Sequence, residues 1–202
     1  MRYLLVPLAL LLAVPCARPG VPEEGDGIVA SMALAPGMTV ADVGAGDGKY
    51  SAVLARGVGP DGRVYATEVD RADIDKITAR AEAQGLRNVR TLVGTQQDTG
   101  LPLGCCDAIL LRLVYHHFTD ADAMRRSLWN ALKAGGRIVV IDVPPQKEWR
   151  HLEGVPERGG HGIAMTELVA DMTRSGFEVV SRDYKWPAED GAYLVVFRRP
   201  GG

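Results

Sequence analysis

The stretch Val40-Ala41-Asp42-Val43-Gly44-Ala45-Gly46-Asp47-Gly48-Lys49-Tyr50-Ser51 decides how this chain reads. A short apolar run carries an acid near its end, and three glycines follow at every second position before a helix-like segment. Glycine has no Cβ, so a backbone built from it turns sharply, takes up positive φ and approaches a ligand closely. The pattern is that of a nucleotide-cofactor loop at a strand-to-helix turn. It is not the dinucleotide fingerprint, because G-x-G-x-x-G counted from Gly44 needs glycine at position 49, where Lys49 stands. A second acid supports the cofactor reading. Residues 63–69 (RVYATEV) alternate as a strand does, and Glu68 follows Gly48 by 20 residues. An acid about 20 residues beyond the loop accepts ribose hydroxyls in nucleotide-binding α/β folds, and hydrogen bonds to a charged acceptor are worth about 1.5–3 kcal/mol each. Asp70 is the second choice for that role.

Working outward, strand and helix signals alternate. Residues 27–34 form a short helix candidate ended by Pro36-Gly37 and expected to cover the cofactor pocket; 40–43 and 63–69 read as strands, with a helix over 49–56 between them. An amphipathic helix over 72–84, closed by Gly85, leads to a strand over 89–93. The second half continues with strand 108–113, helix 121–132, a turn at Lys133-Ala134-Gly135-Gly136 and strand 137–143. Nearly unbroken apolar strands are the signature of parallel strands buried on both faces between helices. Helix 165–175 precedes strands 177–185 and 192–198, whose short connection makes them antiparallel. There are no internal repeats.

Read as D-x-G-x-G-x-G, Asp42, Gly44, Gly46 and Gly48 resemble motif I of the class I S-adenosylmethionine-dependent methyltransferases. Residues 132–142 (LKAGGRIVVID) resemble that family's L-K-P-G-G turn and following strand, with Ala134 in place of the usual proline. Residues 113–118 (LVYHHF) resemble its L-H-H segment after the fourth strand. The resemblance runs from about Met32 to Pro200. It implies an α/β, Rossmann-like, doubly wound sheet of seven strands in order 3-2-1-4-5-7-6, mostly parallel with one antiparallel strand near the C-terminus. It implies S-adenosyl-L-methionine as cofactor, with Asp42 toward its amino end, the loop backbone of Gly44, Ala45, Gly46 and Gly48 along its methionine and ribose parts, and Glu68 with Val69 at the ribose. For the adenine, the family's usual acid after the third strand is replaced by Thr95, so Asp98 is chosen, with Gln96 and Gln97 as rivals. Tyr50 and Arg112 complete the expected cofactor set, Tyr50 and Tyr115 offering ring faces near the sulfonium. A nicotinamide-dependent oxidoreductase and a non-catalytic cofactor-binding protein are the alternatives.

Methyl transfer from a sulfonium is an in-line displacement with an activated leaving group. Holding the nucleophile in line at about 3–3.5 Å and excluding water supplies much of the rate. A base is required only where the acceptor must lose a proton, and His116 and His117 are the candidates, with an ordinary pKa near about 6.5. The alternative is that one of them packs and the other caps the loop. Ligands in open α/β sheets bind beyond the carboxyl ends of the strands, which brings Arg112, Tyr115, Asp142 and His161 to the acceptor side. Arg112 either selects an anionic acceptor or pairs with a neighbouring acid. The long irregular segment 144–162, with Trp149 and His151, reads as an acceptor-site lid.

At 202 residues, 47% hydrophobic and 24% charged, the chain suits one domain with a full core. A net charge of −2 gives no field for a phosphate backbone, so a small-molecule acceptor is expected and a nucleic acid is not. The pairs Arg125-Arg126 and Arg198-Arg199 read as solvated helix face and chain end. Residues 1–20 combine Arg2 with an apolar run over 3–14, too short to span a bilayer, and read as a signal peptide, followed by a linker over 21–26 and the catalytic domain over 27–202. Export to the periplasm or exterior, an uncleaved tether, lipidation at Cys16 and a start assigned too early, which would leave the protein cytoplasmic, stay open. Cys105 and Cys106 are adjacent and read as two small residues opening a strand, not as a disulfide framework; lacking C-x-x-C spacing, they suggest no metal.

Overall fold

Seven strands lie in one sheet in the order β3-β2-β1-β4-β5-β7-β6. The structure is a computed structural model that describes residues 24–148 and 153–201; the expected signal peptide, Trp149 and His151 lie outside the described residues. In chain order the elements are α1 (Glu24–Ser31), β1 (Thr39–Val43), α2 (Lys49–Gly57), β2 (Arg63–Glu68), α3 (Arg71–Ala83) and β3 (Val89–Val93). They continue with β4 (Cys106–Arg112), a 3₁₀ turn at Tyr115–His117, α4 (Ala121–Ala131), β5 (Leu132–Asp142), α5 (Met165–Arg174), β6 (Glu178–Asp183) and β7 (Tyr193–Arg198). β1 pairs in parallel with β2 and β4, and β4 with β5. β7 runs antiparallel to both β5 and β6. The reversed strand expected from the short last connection is therefore β7.

The period of two along each strand splits the core into two layers. Ala41, Val43, Ile109, Leu111, Ile138 and Val140 share one cluster with Met124 and Leu128 of α4 and Leu168 and Met172 of α5. Their strand neighbours Val40, Ala108, Leu110, Val139 and Ile141 point the other way, onto Ile28 of α1, Leu54 of α2 and Ile74 and Ile77 of α3. Burial on both faces is why these strands lack polar alternation. The edge strand β6 is mostly exposed, and its Arg182 and Asp183 place charges along an open edge.

Five features differ from the sequence reading. β5 starts at Leu132 and so takes in the expected turn at 133–136, where its register with β4 shifts. α1 includes Glu24, the first described residue, so residues 24–26 of the expected linker are helical; the Glu24 side chain anchors them to Tyr50, Arg112 and Trp186, which local sequence does not reveal. Arg125 is buried, not solvated. Its guanidinium donates to Tyr115 Oη and Ser175 Oγ, each at 2.8 Å, and pairs with Asp171 and Asp122, locking α4 to α5. Arg199 donates to the carbonyls of Trp129 and Leu132 at 2.7 and 2.6 Å, satisfying acceptors left over at the end of α4. Cys105 and Cys106 are joined as a vicinal disulfide where the chain turns into β4 after Gly104, φ 59°.

Candidate active site

β1, β2, β4 and β5 end at Val43, Glu68, Arg112 and Asp142, and every expected site residue lies at or just beyond that edge. A cavity of about 410 Å³ opens there, lined by Gly44, Glu68, Val69, Gln96, Asp98, Leu113, Val114 and His117 among others. The loop after β1 forms its lip. The Gly44 and Ala45 amides donate to the carbonyl of Thr67 at 3.0 and 3.1 Å, tying the loop to β2. Gly44 has φ +71°, and a Cβ there would sit 2.4 Å from Val114 Cγ2. Gly46, at φ +56°, would meet nothing within 4 Å. Gly44 is therefore required by packing, whereas Gly46 borders open space.

The Gly46 amide donates to Glu68 Oε1 at 2.7 Å, and the Val69 amide donates to Oε2 at 3.1 Å. The loop and the acid, 22 residues apart, thus close on each other. An ionised carboxylate offers about four acceptor positions; one on each oxygen is used, and the others suit two neighbouring hydroxyls. Asp70 serves a different purpose. Its side chain caps α3 by accepting from the Ala72 amide at 2.8 Å.

Asp42 is buried beneath the loop and accepts from Ser51 Oγ at 2.6 Å. Burial pushes its carboxyl up to about 6; the Ser51 hydrogen bond opposes this and the nearby Glu68 charge adds to it. Asp42 is not among the residues lining the cavity, and neither are Ala45, Gly46, Gly48, Tyr50, Arg112 and His116. Arg112 takes the second of its two expected roles, pairing with an acid. Its Nε and Nη2 donate to the two oxygens of Glu24 at 2.8 and 3.0 Å. Tyr50 Oη also donates to Glu24, Trp186 Nε1 does so at 3.2 Å, and the guanidinium lies 4.5 Å from the Tyr50 ring centre. Burial alone would raise the Glu24 carboxyl, but Arg112, Tyr50 and Trp186 outweigh it and hold it below the usual range. Burial and the same carboxylate push the Tyr50 hydroxyl up to about 12.

Asp98, expected toward the adenine, lines the cavity, and its Oδ1 accepts from the Gly100 amide at 2.8 Å and from Ser127 Oγ at 3.0 Å. Gln96 lines the cavity as well, and Gln97 is absent from that lining. The loop bulges through Thr95, whose amide donates to the Asp98 carbonyl at 2.7 Å.

Leu113 has φ +54°, a left-handed conformation for a residue with a Cβ, and it lines the cavity. The strained turn delivers the adjacent histidines. His116 is buried and its Nδ1 bonds to the buried Asp142 Oδ1 at 2.6 Å. His117 is half-buried and faces the cavity, and burial together with its His116 and His161 neighbours pushes its pKa down to about 4. His117 is therefore neutral near pH 7 but a weaker base than an ordinary histidine. His161 joins both. Its Nε2 lies 2.8 Å from His116 Nε2 and 3.2 Å from His117 Nε2. It arrives through an antiparallel bridge between Gln146 and His161, which folds part of segment 144–162 back over the end of β5. Glu153 and Val155 of the same segment line the cavity, as a lid would. Tyr115, expected near the sulfonium, is instead fully buried, hydrogen-bonded to Arg125 and Asp171.

Residues 40–136 match a family model described as a methyltransferase domain. The ubiquinone/menaquinone biosynthesis C-methyltransferase UbiE of Vibrio campbellii is 28% identical over 108 residues, 53% of this chain and 42% of that protein. The nocamycin O-methyltransferase of Saccharothrix syringae is 30% identical over 117 residues, covering 56% and 42% respectively. The chain thus matches less than half the length of these curated relatives. Among solved structures, an S-adenosylmethionine-dependent methyltransferase from Aquifex aeolicus superposes with a TM-score of 0.74 at 22% identity, covering 86% of this chain and 88% of that one. The strand order, the glycine loop and this domain match together support a place for the chain among the class I S-adenosylmethionine-dependent methyltransferases.

Proposed function

We propose that this protein transfers the methyl group of S-adenosyl-L-methionine to a small-molecule acceptor. The observation that carries the reading is the junction of Gly46 and Glu68 at the lip of the cavity. Glu68 lines the cavity, is fixed by the Gly46 amide and keeps spare acceptor positions where a ribose diol would be held. Val69 flanks the ribose, Gln96 and Asp98 reach the adenine, and Gly44 and Gly46 let the loop approach the methionine portion. Asp42 sets a buried negative charge beneath the loop, near where the cofactor's ammonium would come. Arg112 and Tyr50, held by Glu24, fix α1 to the end of β4. Water exclusion by the segment after β5 and an in-line approach past Leu113 and His117 supply the catalysis, since the sulfonium needs no further activation.

A small acceptor fits a cavity of this size, and the net charge of −2 favours it over nucleic acid. Incubation of the protein with methyl-labelled cofactor and a cell extract, followed by mass identification of the labelled product, tests the activity. Transfer to a compound of low molecular mass is expected; absence of transfer despite cofactor binding would favour the non-catalytic alternative. Export directed by residues 1–20 is part of the same proposal, and amino-terminal sequencing of the protein recovered from its cells tests it. A chain that keeps Met1 and stays in the cytoplasm would refute it.

A further inference from the structure

We infer that His116, His117 and His161 form a binding site for one divalent transition-metal ion of the zinc type at the acceptor end of the cavity. Three side-chain nitrogens, one from each histidine, lie within 4.8 Å of one another. Three imidazoles around a tetrahedral zinc at about 2.0–2.1 Å place their nitrogens roughly 3.3 Å apart, and the two measured separations to His161 Nε2 are 2.8 and 3.2 Å. The rings meet edge to face, with centroids 4.1, 4.6 and 5.1 Å apart, so their faces do not stack on one another.

Hydrogen-bond geometry favours a cation there. The Asp142 carboxylate takes the 2.6 Å contact of His116 Nδ1, which leaves His116 Nε2 turned toward His161 Nε2. Three ring nitrogens meet there, and an ion among them can be bound by all three at once. Asp142 also accepts from the His116 and Val143 amides at 3.3 and 2.8 Å. It is a fully buried carboxylate fixing the tautomer and orientation of a ligating histidine, as outer partners at zinc sites do. The ligands stand on rigid supports: the 3₁₀ turn after β4 for two of them, and the Gln146–His161 bridge to the extension of β5 for the third. Three imidazoles, with no fourth ligand grouped with them among the described residues, are the donor set of catalytic sites, which keep a coordination position for water or substrate. His117 lines the cavity, so that position faces it. The group suited to it is an oxygen or sulfur donor of the acceptor.

The site stands independently of methyl transfer, and its test reads none. Full-length protein, stripped with chelator and dialysed, is titrated with Zn²⁺ by calorimetry and with Co²⁺ by visible absorption. One ion per chain is expected, together with the strong d–d bands of four-coordinate Co²⁺. His117→Ala and His161→Ala should each weaken Zn²⁺ binding at least hundredfold, and Asp142→Asn by about 10–100-fold. Circular dichroism and cofactor binding confirm that each variant is folded; if Asp142→Asn does not fold, the two histidine variants decide. No Zn²⁺ uptake by the wild-type protein, or equal uptake by the His117→Ala/His161→Ala double variant, would overturn the site. Cofactor binding by a wild-type protein that ignores Zn²⁺ would leave the methyltransferase reading intact while removing this one.

Discussion

Asp42 and the two loop glycines can be separated by what each residue does for the fold and what it does for a ligand. The Asp42 carboxyl is raised from 3.8 to about 6, so its charged form is less stable in the folded protein than in the unfolded chain. Its penalty is full above about pH 6, on the order of 3 kcal/mol from a shift of about two units. The penalty fades as pH falls from about 6 to 4, where the folded state holds a proton that the unfolded state has not yet taken up. Asp42→Asn should therefore raise stability at pH 8, with the gain vanishing below about pH 4, and should weaken cofactor binding; urea unfolding across pH checks the first part and dialysis the second. A variant no more stable than the wild type at pH 8 would contradict the burial argument. Gly44→Ala and Gly46→Ala form a second contrast. The first adds left-handed strain of about 1–2 kcal/mol and a clash with Val114, so it should mainly lower the melting temperature. The second adds similar strain without a clash and should mainly lower cofactor affinity, by at least tenfold. Equal effects on both readouts would show that the two glycines are not divided between packing and ligand. The glycine spacing and Glu68 were legible because a ligand-facing turn needs particular residue types at particular intervals. Tyr50 and Tyr115 were given ring-face roles toward the ligand, and Arg112 a choice between a ligand and an acid, because sequence does not show that Glu24, or Arg125 and Asp171, reach them.

At the scale of elements, α1 depends on one side chain. Glu24 joins it to the end of β4 through Arg112, to α2 through Tyr50 and to the β6–β7 connection through Trp186. Glu24→Ala would leave a largely buried guanidinium without its partner, and about 2 kcal/mol of destabilisation is expected, below the range for a fully buried pair. For a domain of this size that is roughly a 4–8 °C fall in melting temperature, measurable by differential scanning calorimetry. An unchanged melting temperature would show that the cluster does not hold α1. The strand and helix positions followed from apolar runs and Gly-Pro punctuation and agree with the structure to within a few residues. Residues 24–26 of α1 did not, because Glu24, Gly25 and Asp26 have a linker-like composition, and the Glu24–Arg112 ion pair that ties them down exists only in the tertiary structure. The burial of Arg125 escaped for the same reason. Its partners Tyr115, Asp171 and Ser175 lie 10, 46 and 50 residues away.

For the whole molecule, the parallel sheet gathers the ends of β1, β2, β4 and β5 along one edge, and the glycine loop, Glu68 and the histidines meet there because of it. The order 3-2-1-4-5-7-6 was legible through the family motifs, and the structure reproduces it. The approach of His161 to His116 and His117 was not. It rests on the Gln146–His161 bridge inside an irregular segment, and no local pattern encodes a contact across 44 or 45 residues. The central claim is that one S-adenosyl-L-methionine lies between the glycine crest and Glu68. Equilibrium dialysis with labelled cofactor, comparing the wild-type protein with Glu68→Ala, tests it most directly. The expected result is saturable binding of one molecule per chain by the wild type and affinity at least tenfold weaker in a variant that stays folded. Equal affinity in the two proteins, or a wild type that ignores this cofactor and binds a dinucleotide, would contradict it.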